Sequence, residues 1–192
     1  MNPKTENIPW EENPSKKLEI RFRRIQETMS SLPICHPKVQ VQAVDFSPWK
    51  YFWLGIMVTP WSINLILSPG DRSRWKSVPK GKKLHYRFPA GIFDFISVHD
   101  QDLGEYQMCS MLSPLSEITD HEMAILVARS ILSELTKPET EEEAGTPFNS
   151  IPINEEKISE RVEKNLKQKI NRRNFFVKPI RSIENKVQES KR

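Results

Sequence analysis

The chain has 192 residues, 37% of them hydrophobic and 28% charged, which is enough for one domain core. Its 15 prolines against 6 glycines indicate that part of the chain is linker or tail. The net charge of +4 is uneven, because residues 154–192 hold 12 Lys or Arg and 6 Asp or Glu. The 2 cysteines exclude a disulfide framework and fit a reducing compartment.

The first fourteen residues read "MNPKTENIPWEENP" and form a predicted N-terminal tail, residues 1–14. This stretch has neither a basic start nor an apolar run, so it does not match a secretory, twin-arginine or transit signal. We therefore expect a cytoplasmic protein.

Residues 15–32 are predicted to form an amphipathic helix. Apolar residues recur there at spacings of three and four, the period of one helix face. They are Leu18, Phe22, Ile25, Met29 and Leu32. Pro33 ends the pattern.

Six short segments have the alternation or the composition of β-strands. They are residues 38–46, 51–58, 62–67, 84–88, 92–98 and 106–112. The most hydrophobic run, residues 51–67, is shorter than the roughly 20 apolar residues of a membrane span and is interrupted by Pro60 and Asn64. It is therefore predicted to be two buried strands rather than a membrane helix.

A second helix is predicted before Pro138. It opens with a capping-box pattern from Thr119 to Glu122 and has an apolar side that includes Leu126. Together these elements predict an α+β domain over residues 15–137. We expect a mostly antiparallel β-sheet of about five or six strands, with an N-terminal helix and a helix after the last strand, both packed on one face.

The chain beyond this domain changes composition. Residues 138–153 are an acidic linker with Pro and Gly, and residues 154–192 a basic, partly helical or disordered C-terminal tail. A linker-tethered helix is predicted at the start of this tail, with a thin apolar stripe suited to docking on a partner. A basic tail can also bind nucleic acid, but no nucleic-acid fold motif accompanies it, so we expect no nucleic-acid partner.

Catalytic and metal-binding patterns are mostly missing from the sequence. The histidines and cysteines do not fall at zinc-ligand spacings, and the adjacent pair Cys35 and His36 is a weak signal. The acidic residues around Asp100 and Asp102 suit a solvated loop better than acid/base catalysis. The tryptophans of the sheet region suit a core better than a base-stacking platform.

Three blocks in the middle of the chain are more specific than any single motif. They read "FSPWKYFWLGIMVTPWSINLILSPGD", "YRFPAGIFDFI" and "LGEYQMCSMLSPL". Their order and spacing resemble those of the HybE/HupJ family of [NiFe]-hydrogenase assembly chaperones, over roughly residues 36–135. Some relatives carry a fused rubredoxin, but the paired Cys-x-x-Cys motifs for its iron are missing from this sequence, so no cofactor carries over.

The resemblance implies a non-enzymatic cytoplasmic chaperone that shields a precursor subunit of a hydrogenase until its cofactors are inserted and it is exported. The favoured client is the iron-sulfur small subunit with its twin-arginine signal, and the large subunit is the other candidate. Further hydrogenase maturation proteins are expected partners. An alternative is a metal-handling or redox accessory protein of the same pathway that uses Cys35, His36 and Cys109.

Positions that match the family pattern supply the candidate client-binding residues. They are Trp53, Trp61, Asn64, Arg87, Phe88, Glu105 and Tyr106. A chaperone needs an apolar or aromatic surface with a few orienting charges, so we expect this surface on the sheet near Trp61 and Arg87.

The tail contains "NRRNFFVKP", which partly matches the twin-arginine export motif. The long apolar stretch that follows such a motif is missing, so this copy is not an export address. It is either an incidental match in an exposed basic tail or a self-mimic of the client signal. In the second case, Arg172, Arg173, Phe175 and Phe176 occupy the chaperone's own client site until a real signal displaces them.

Overall fold

The computed structural model describes residues 11–137. The predicted linker and tail, including Arg172, Arg173, Phe175 and Phe176, lie outside these residues and stay predictions. In chain order the elements are α1 (Ser15–Met29), β1 (Gln42–Trp49), β2 (Phe52–Thr59), β3 (Ser62–Pro69), β4 (Lys83–Phe88), β5 (Gly91–Asp100), β6 (Gly104–Leu112) and α2 (His121–Thr136).

The strands form one six-stranded sheet in the order β1-β2-β3-β6-β5-β4. Every neighbouring pair is antiparallel. Each half of the sheet is a chain of tight hairpins, and the pairing of β3 with β6 joins the two halves. This architecture confirms the predicted α+β fold with one helix before the sheet and one after it.

The central strands β2 and β3 explain the very hydrophobic run of the sequence. Their residues are buried on both faces of the sheet. The chain turns between them at Pro60, where the Thr59 side chain accepts a hydrogen bond from the Ser62 backbone N–H at 3.0 Å. Within residues 11–137, no helix is long and apolar enough to cross a membrane.

The two helices lie on opposite faces of the sheet. α2 packs its Val127 and Ile131 into the larger core cluster, with alternate residues of β2 and β3 such as Ile56. α1 packs against the intervening residues, among them Met57. The prediction that both helices share one face is therefore wrong, because strands buried on both faces need a cover on each.

Three element boundaries differ from the sequence-based prediction. The N-cap of α2 is Asp120, not Thr119, and its carboxylate accepts a hydrogen bond from the Met123 N–H. α1 ends at Met29, before the predicted end of the apolar pattern. β1 continues through Pro48, which an edge strand tolerates because its outer side has no ladder to break.

Candidate functional site

α1 covers only part of its face of the sheet. Its Leu18 and Phe22 are buried against Met57, Ile66 and Tyr106 in the smaller core cluster. These contacts cover β2, β3, β6 and the end of β5 at Val98, whereas β4 and the earlier residues of β5 contribute nothing to this cluster. The sheet therefore has a covered part and an uncovered part on the same face.

One row of cross-strand neighbours runs from the covered part to the uncovered part. In register, Ile66 of β3 faces Met108 of β6, Met108 faces Ile96 of β5, and Ile96 faces Lys83 of β4. Ile66 is fully buried, Met108 is half-buried, and Ile96 is 44% exposed. The row shows apolar surface emerging from beneath α1 into solvent.

The uncovered residues of β4 and β5 on this face are here called the open face. They are Lys83, His85, Arg87, Ile92, Asp94 and Ile96. Ile92, like Ile96, keeps nearly half of its surface in solvent, 45%. The register places Arg87 directly opposite Ile92 and Lys83 directly opposite Ile96, so each exposed isoleucine has a cation beside it.

The polar groups of the open face differ in their hydrogen bonds and ion pairs. His85 and Asp94 pair across the strands, with Nδ1 and Oδ1 2.8 Å apart. Arg87 and Lys83 are exposed, and neither forms an ion pair with any residue in the range 11–137. The arrangement suits a ligand that combines apolar side chains with negative charge or carbonyl oxygens.

Ion pairs fix α1 beside the open face. Arg21 donates to Asp100 at the end of β5 at 2.9 Å, and Arg24 lies 3.4 Å from Asp102. Partial burial opposes ionisation of Asp100, but hydrogen bonds from Arg21 and from two backbone N–H groups hold its pKa below the usual value. These carboxylates thus have structural roles, which agrees with the expectation that they are not acid/base catalysts.

Several predicted site residues are packed into the covered part of the sheet. Tyr106 is 6% exposed, and burial raises the pKa of its hydroxyl to about 12. Asn64 is also buried and donates to the Ser62 hydroxyl at 2.8 Å. Both side chains are buried, so neither offers a surface to a client in this structure.

The tryptophans are spread over both faces. Trp61 is half-buried at the turn between β2 and β3, beside the cluster under α1. The Trp53 indole donates to the Glu11 carbonyl at 2.8 Å, and Trp49 stacks on Phe88 on the other face of the sheet. They do not form one stacking platform, in line with the expectation that they belong to the core.

Phe88 and Glu105 lie on the face that α2 covers. Phe88 is 2% exposed and packs in the larger core cluster, so it offers no surface to a partner. Glu105 accepts hydrogen bonds from the Trp75 indole and from the Ser77 hydroxyl, which lower its pKa. Among the seven predicted residues, only Arg87 lies on the open face.

The sequence contains a pattern that indicates the open-face residues of β5, which were not among the predicted site residues. In "IFDFISV" the strand alternation puts Ile92, Asp94 and Ile96 on one face and the two phenylalanines on the other. The phenylalanines are buried, which leaves the isoleucines outside. Neither isoleucine is among the candidate residues taken from the family pattern, so only the strand alternation identifies them.

The predicted metal-handling residues do not converge. Among residues 11–137 there is no group of three His, Cys, Asp or Glu side chains placed to hold a metal ion. Cys109 is buried in the larger core cluster, the Cys35 thiol contacts the Met29 carbonyl, and His36 accepts a hydrogen bond from a neighbouring backbone N–H. The geometry does not support the alternative of a metal carrier built on these residues.

Comparison with known proteins adds to this geometry. The sequence family described as "[NiFe]-hydrogenase assembly, chaperone, HybE" matches residues 13–178. The chain belongs to the HybE family. This result confirms the resemblance read from the three sequence blocks, and the family is one of hydrogenase assembly chaperones.

Individual relatives agree with this assignment. The "Hydrogenase expression/formation protein HupJ" of Bradyrhizobium diazoefficiens is 33% identical over 144 residues, which are 74% of this chain and 81% of that protein. The "Hydrogenase-2 operon protein HybE" of Escherichia coli K12 is 28% identical over 63% of this chain and 74% of that protein. A "Probable rubredoxin HupJ" of Rhodobacter capsulatus is 30% identical over 64% of this chain, but the match spans only 44% of that longer protein.

A solved structure supports the fold. The solution structure of HybE from Escherichia coli superposes with a TM-score of 0.57 at 24% identity, and the match covers 77% of this chain and 91% of that one. The six-stranded sheet with a helix on each side is therefore shared with an experimentally determined HybE fold at the level of topology.

Proposed function

We propose that this HybE-family chain binds the precursor of a [NiFe]-hydrogenase small subunit, through its open face, and shields it until cofactor insertion and export. The favoured client carries iron-sulfur clusters and a twin-arginine signal, and the large subunit is the competing client. The proposed site of action is the cytoplasm, and the proposed role is non-enzymatic.

One observation carries the proposal. The open face presents two exposed isoleucines, Ile92 and Ile96, each beside a cation that has no ion-pair partner in the described chain. Apolar anchors with a charged rim are the usual composition of a transient protein interface. Trp61 is half-buried on the same face as Ile96, beside the cluster under α1, and Trp61 and Arg87 stay candidate client-binding residues.

The size of the open face also supports a transient complex. The open face spans two strands, which is small compared with the roughly 1,600 Å² buried in a standard stable interface. Such a surface favours reversible capture of an exposed segment over a permanent complex. β4 is also the edge strand of the sheet, so an extended client segment can add backbone hydrogen bonds there.

The tail motif is a proposed competitor of the client for the open face. We propose that Arg172, Arg173, Phe175 and Phe176 imitate the client signal and occupy the open face in the absence of a client. These residues lie outside the described part of the chain, and the support is the partial match of "NRRNFFVKP" to an export motif.

The experiment is capture of hydrogenase subunits by the tagged chain and its variants. The variant pair Ile92→Asp and Ile96→Asp, and the single variant Arg87→Glu, are compared with the wild type. Leu126→Asp is the matched control, because Leu126 is also 44% exposed but lies on α2, on the opposite face. Loss of an apolar anchor is worth about 1–2 kcal/mol, so we expect roughly tenfold weaker capture in the open-face variants alone.

The baits separate the two clients. They are the small-subunit precursor with its signal, the same precursor without it, and the large subunit. Equal capture by wild type, Ile92→Asp/Ile96→Asp and Arg87→Glu would rule out the open face as the client site. Capture of the large subunit alone would transfer the client role to that subunit.

A further inference from the structure

A hollow lies on the face of the sheet opposite the open face, beneath the long connection between β3 and β4. Its volume is about 40 Å³, room for a water-sized group rather than for a whole ligand. Residues of the sheet and of the connection line it: Phe52, Leu84, Tyr86, Gln107, Arg74, Trp75, Lys76 and Val78.

A buried acceptor in the wall of this hollow has no donor. Gln107 is 3% exposed, and its Oε1 accepts no hydrogen bond within residues 11–137. Burial raises the pKa of the Tyr86 hydroxyl in the same wall. An unsatisfied buried acceptor is costly in a native fold, and a hollow of this size has room for a water that donates to it.

The mouth of the hollow is cationic. Arg74 and Lys76 line it and are exposed, and neither forms an ion pair with a described residue. The Arg74 guanidinium lies over the Tyr51 ring, 4.9 Å from its centroid, and near Asp71, whose carboxylate accepts two hydrogen bonds from Ser73. Farther along the connection, Lys80 and Lys82 add charge of the same sign.

We infer that the cationic mouth of the hollow is a docking site for an acidic peptide and that its occupant is this chain's own acidic segment, residues 139–143. The segment reads "ETEEE". Its carboxylates pair with Arg74 and Lys76. A peptide of this kind neutralises the cationic mouth and covers the hollow.

The direction of α2 brings the segment to the hollow. Near its start, His121 pairs with Gln42 at 2.8 Å, and further along Arg129 pairs with Asp45 at 3.3 Å, so the helix runs in the same direction as β1. It therefore ends at the same end of the strands as the turn between β1 and β2, beside Phe52 in the wall of the hollow.

Tethering makes this docking favourable. The first glutamate comes 3 residues after the end of α2 at Thr136, and each extended residue adds about 3.3–3.6 Å of reach. A segment on such a short tether has an effective concentration in the millimolar range at its site. Weak ion pairs are then enough to hold it.

Paramagnetic relaxation in the full-length chain tests the inference. A nitroxide is placed on Thr140→Cys, which keeps every glutamate, in a Cys35→Ser background so that only position 140 is labelled. The Trp75 indole N–H resonance reports on the hollow, and the Trp61 indole on the other face is the internal reference. We expect strong broadening of the Trp75 signal and little change in that of Trp61.

Charge reversal gives the specific control. Arg74→Glu with Lys76→Glu should abolish the broadening, and adding Glu141→Lys with Glu142→Lys should restore it. Lys16→Glu with Lys38→Glu, two exposed cations elsewhere, should leave it unchanged. Equal broadening of both indoles, no broadening, or insensitivity to the reversal in the mouth would overturn the inference.

Other occupants give different outcomes. Broadening between a nitroxide-labelled chain and a second, isotope-labelled chain would assign the hollow to another copy. A Trp75 shift seen only on addition of a hydrogenase subunit would assign it to a partner. Both outcomes overturn self-docking, and neither depends on the open face, so the inference and the proposed function can fail separately.

Discussion

At the scale of single residues, Gly55 of β2 shows how tightly the sheet is built. A Cβ atom at this position would lie 2.4 Å from the Phe46 ring, which packs directly on the glycine backbone. Any residue with a Cβ atom would collide with the ring, so the glycine serves close packing rather than a turn. Phe46 in turn belongs to the surroundings of the cluster under α1.

Gly55→Ala should therefore destabilise the domain. Displacing the Phe46 ring from a well-packed site costs about 1–3 kcal/mol, because overpacking forces neighbouring groups to shift. Urea denaturation measures the loss in the free energy of unfolding. In the double variant Phe46→Ala/Gly55→Ala the clash is gone, so the added cost of the glycine substitution should nearly vanish; full additivity would contradict the explanation.

The exposure of a candidate residue could be predicted only where it followed from strand alternation. Arg87 was predicted and is exposed, since its strand neighbours Tyr86 and Phe88 are apolar and buried. Trp61 and Tyr106 have the composition of interface residues, but α1 covers their side of the sheet. A sequence does not state which part of a sheet face a helix covers, because that depends on long-range contacts.

At the scale of elements, the N-terminus of α2 depends on Asp120. Its carboxylate accepts the Met123 N–H at 2.9 Å and the Thr119 hydroxyl at 3.0 Å, and these hydrogen bonds lower its pKa. The capping-box pattern had suggested Thr119, one residue earlier. Asp120 is the N-cap residue because a carboxylate also interacts favourably with the positive end of the helix dipole.

Asp120→Ala should cost about 1 kcal/mol of unfolding free energy near neutral pH. The folded pKa of Asp120 is below its unfolded value, so the stabilisation is present above the unfolded pKa, about 4, and is lost as pH falls through the folded pKa. The difference between wild type and variant should therefore shrink in acid. Asp120→Asn, which keeps an acceptor but cannot titrate, is the control; a difference that is constant down to pH 2 would contradict this role.

Strand positions were predictable, but their arrangement was not. Alternation and turn residues located six strands to within a few residues. The β3-β6 pairing that joins the two halves connects residues more than 40 positions apart, such as Leu65 and Cys109, and leaves no local signal. The long hydrophobic run of β2 and β3 indicates that both faces of these strands are covered. Packing both helices on one face would leave the other face exposed.

At the scale of the whole molecule, the two faces of the sheet separate the two proposed roles. The open face carries exposed apolar anchors, and the opposite face carries a hollow with a cationic mouth. α2 ends on the side of the hollow, so a tail that occupied the open face would have to pass around the edge of the sheet. Docking of residues 139–143 would set the starting point of that path.

The length of the C-terminal region is compatible with self-occupancy of the open face. Residues 144–171 separate the acidic segment from Arg172, a stretch of 28 residues. The predicted linker part, residues 144–153, has a root-mean-square reach of roughly 15–20 Å, and the predicted helix that follows adds about 1.5 Å per residue. A domain of this size has a radius of gyration of about 13–14 Å. Together these lengths allow the arginine pair to reach either face of the domain.

Deletion of residues 171–192 should strengthen binding of a twin-arginine signal peptide if the tail imitates the client. A tethered competitor reduces the apparent affinity by the fraction of time that it occupies the site, and roughly tenfold tighter binding is expected when it is removed. Fluorescence anisotropy of a labelled signal peptide measures the affinity. The full-length variant Arg172→Gln/Arg173→Gln should reproduce the gain, because it removes the imitation and keeps the chain length.

The control for this last prediction is a deletion that spares the motif. Removing residues 182–192 shortens the tail but leaves "NRRNFFVKP" intact, so it should not change the affinity. An equal gain in both deletions would show that the length of the tail, not imitation, governs access to the open face. Unchanged or weaker binding after removal of 171–192 would mean that the tail leaves the client site free, and the match to an export motif would then be incidental.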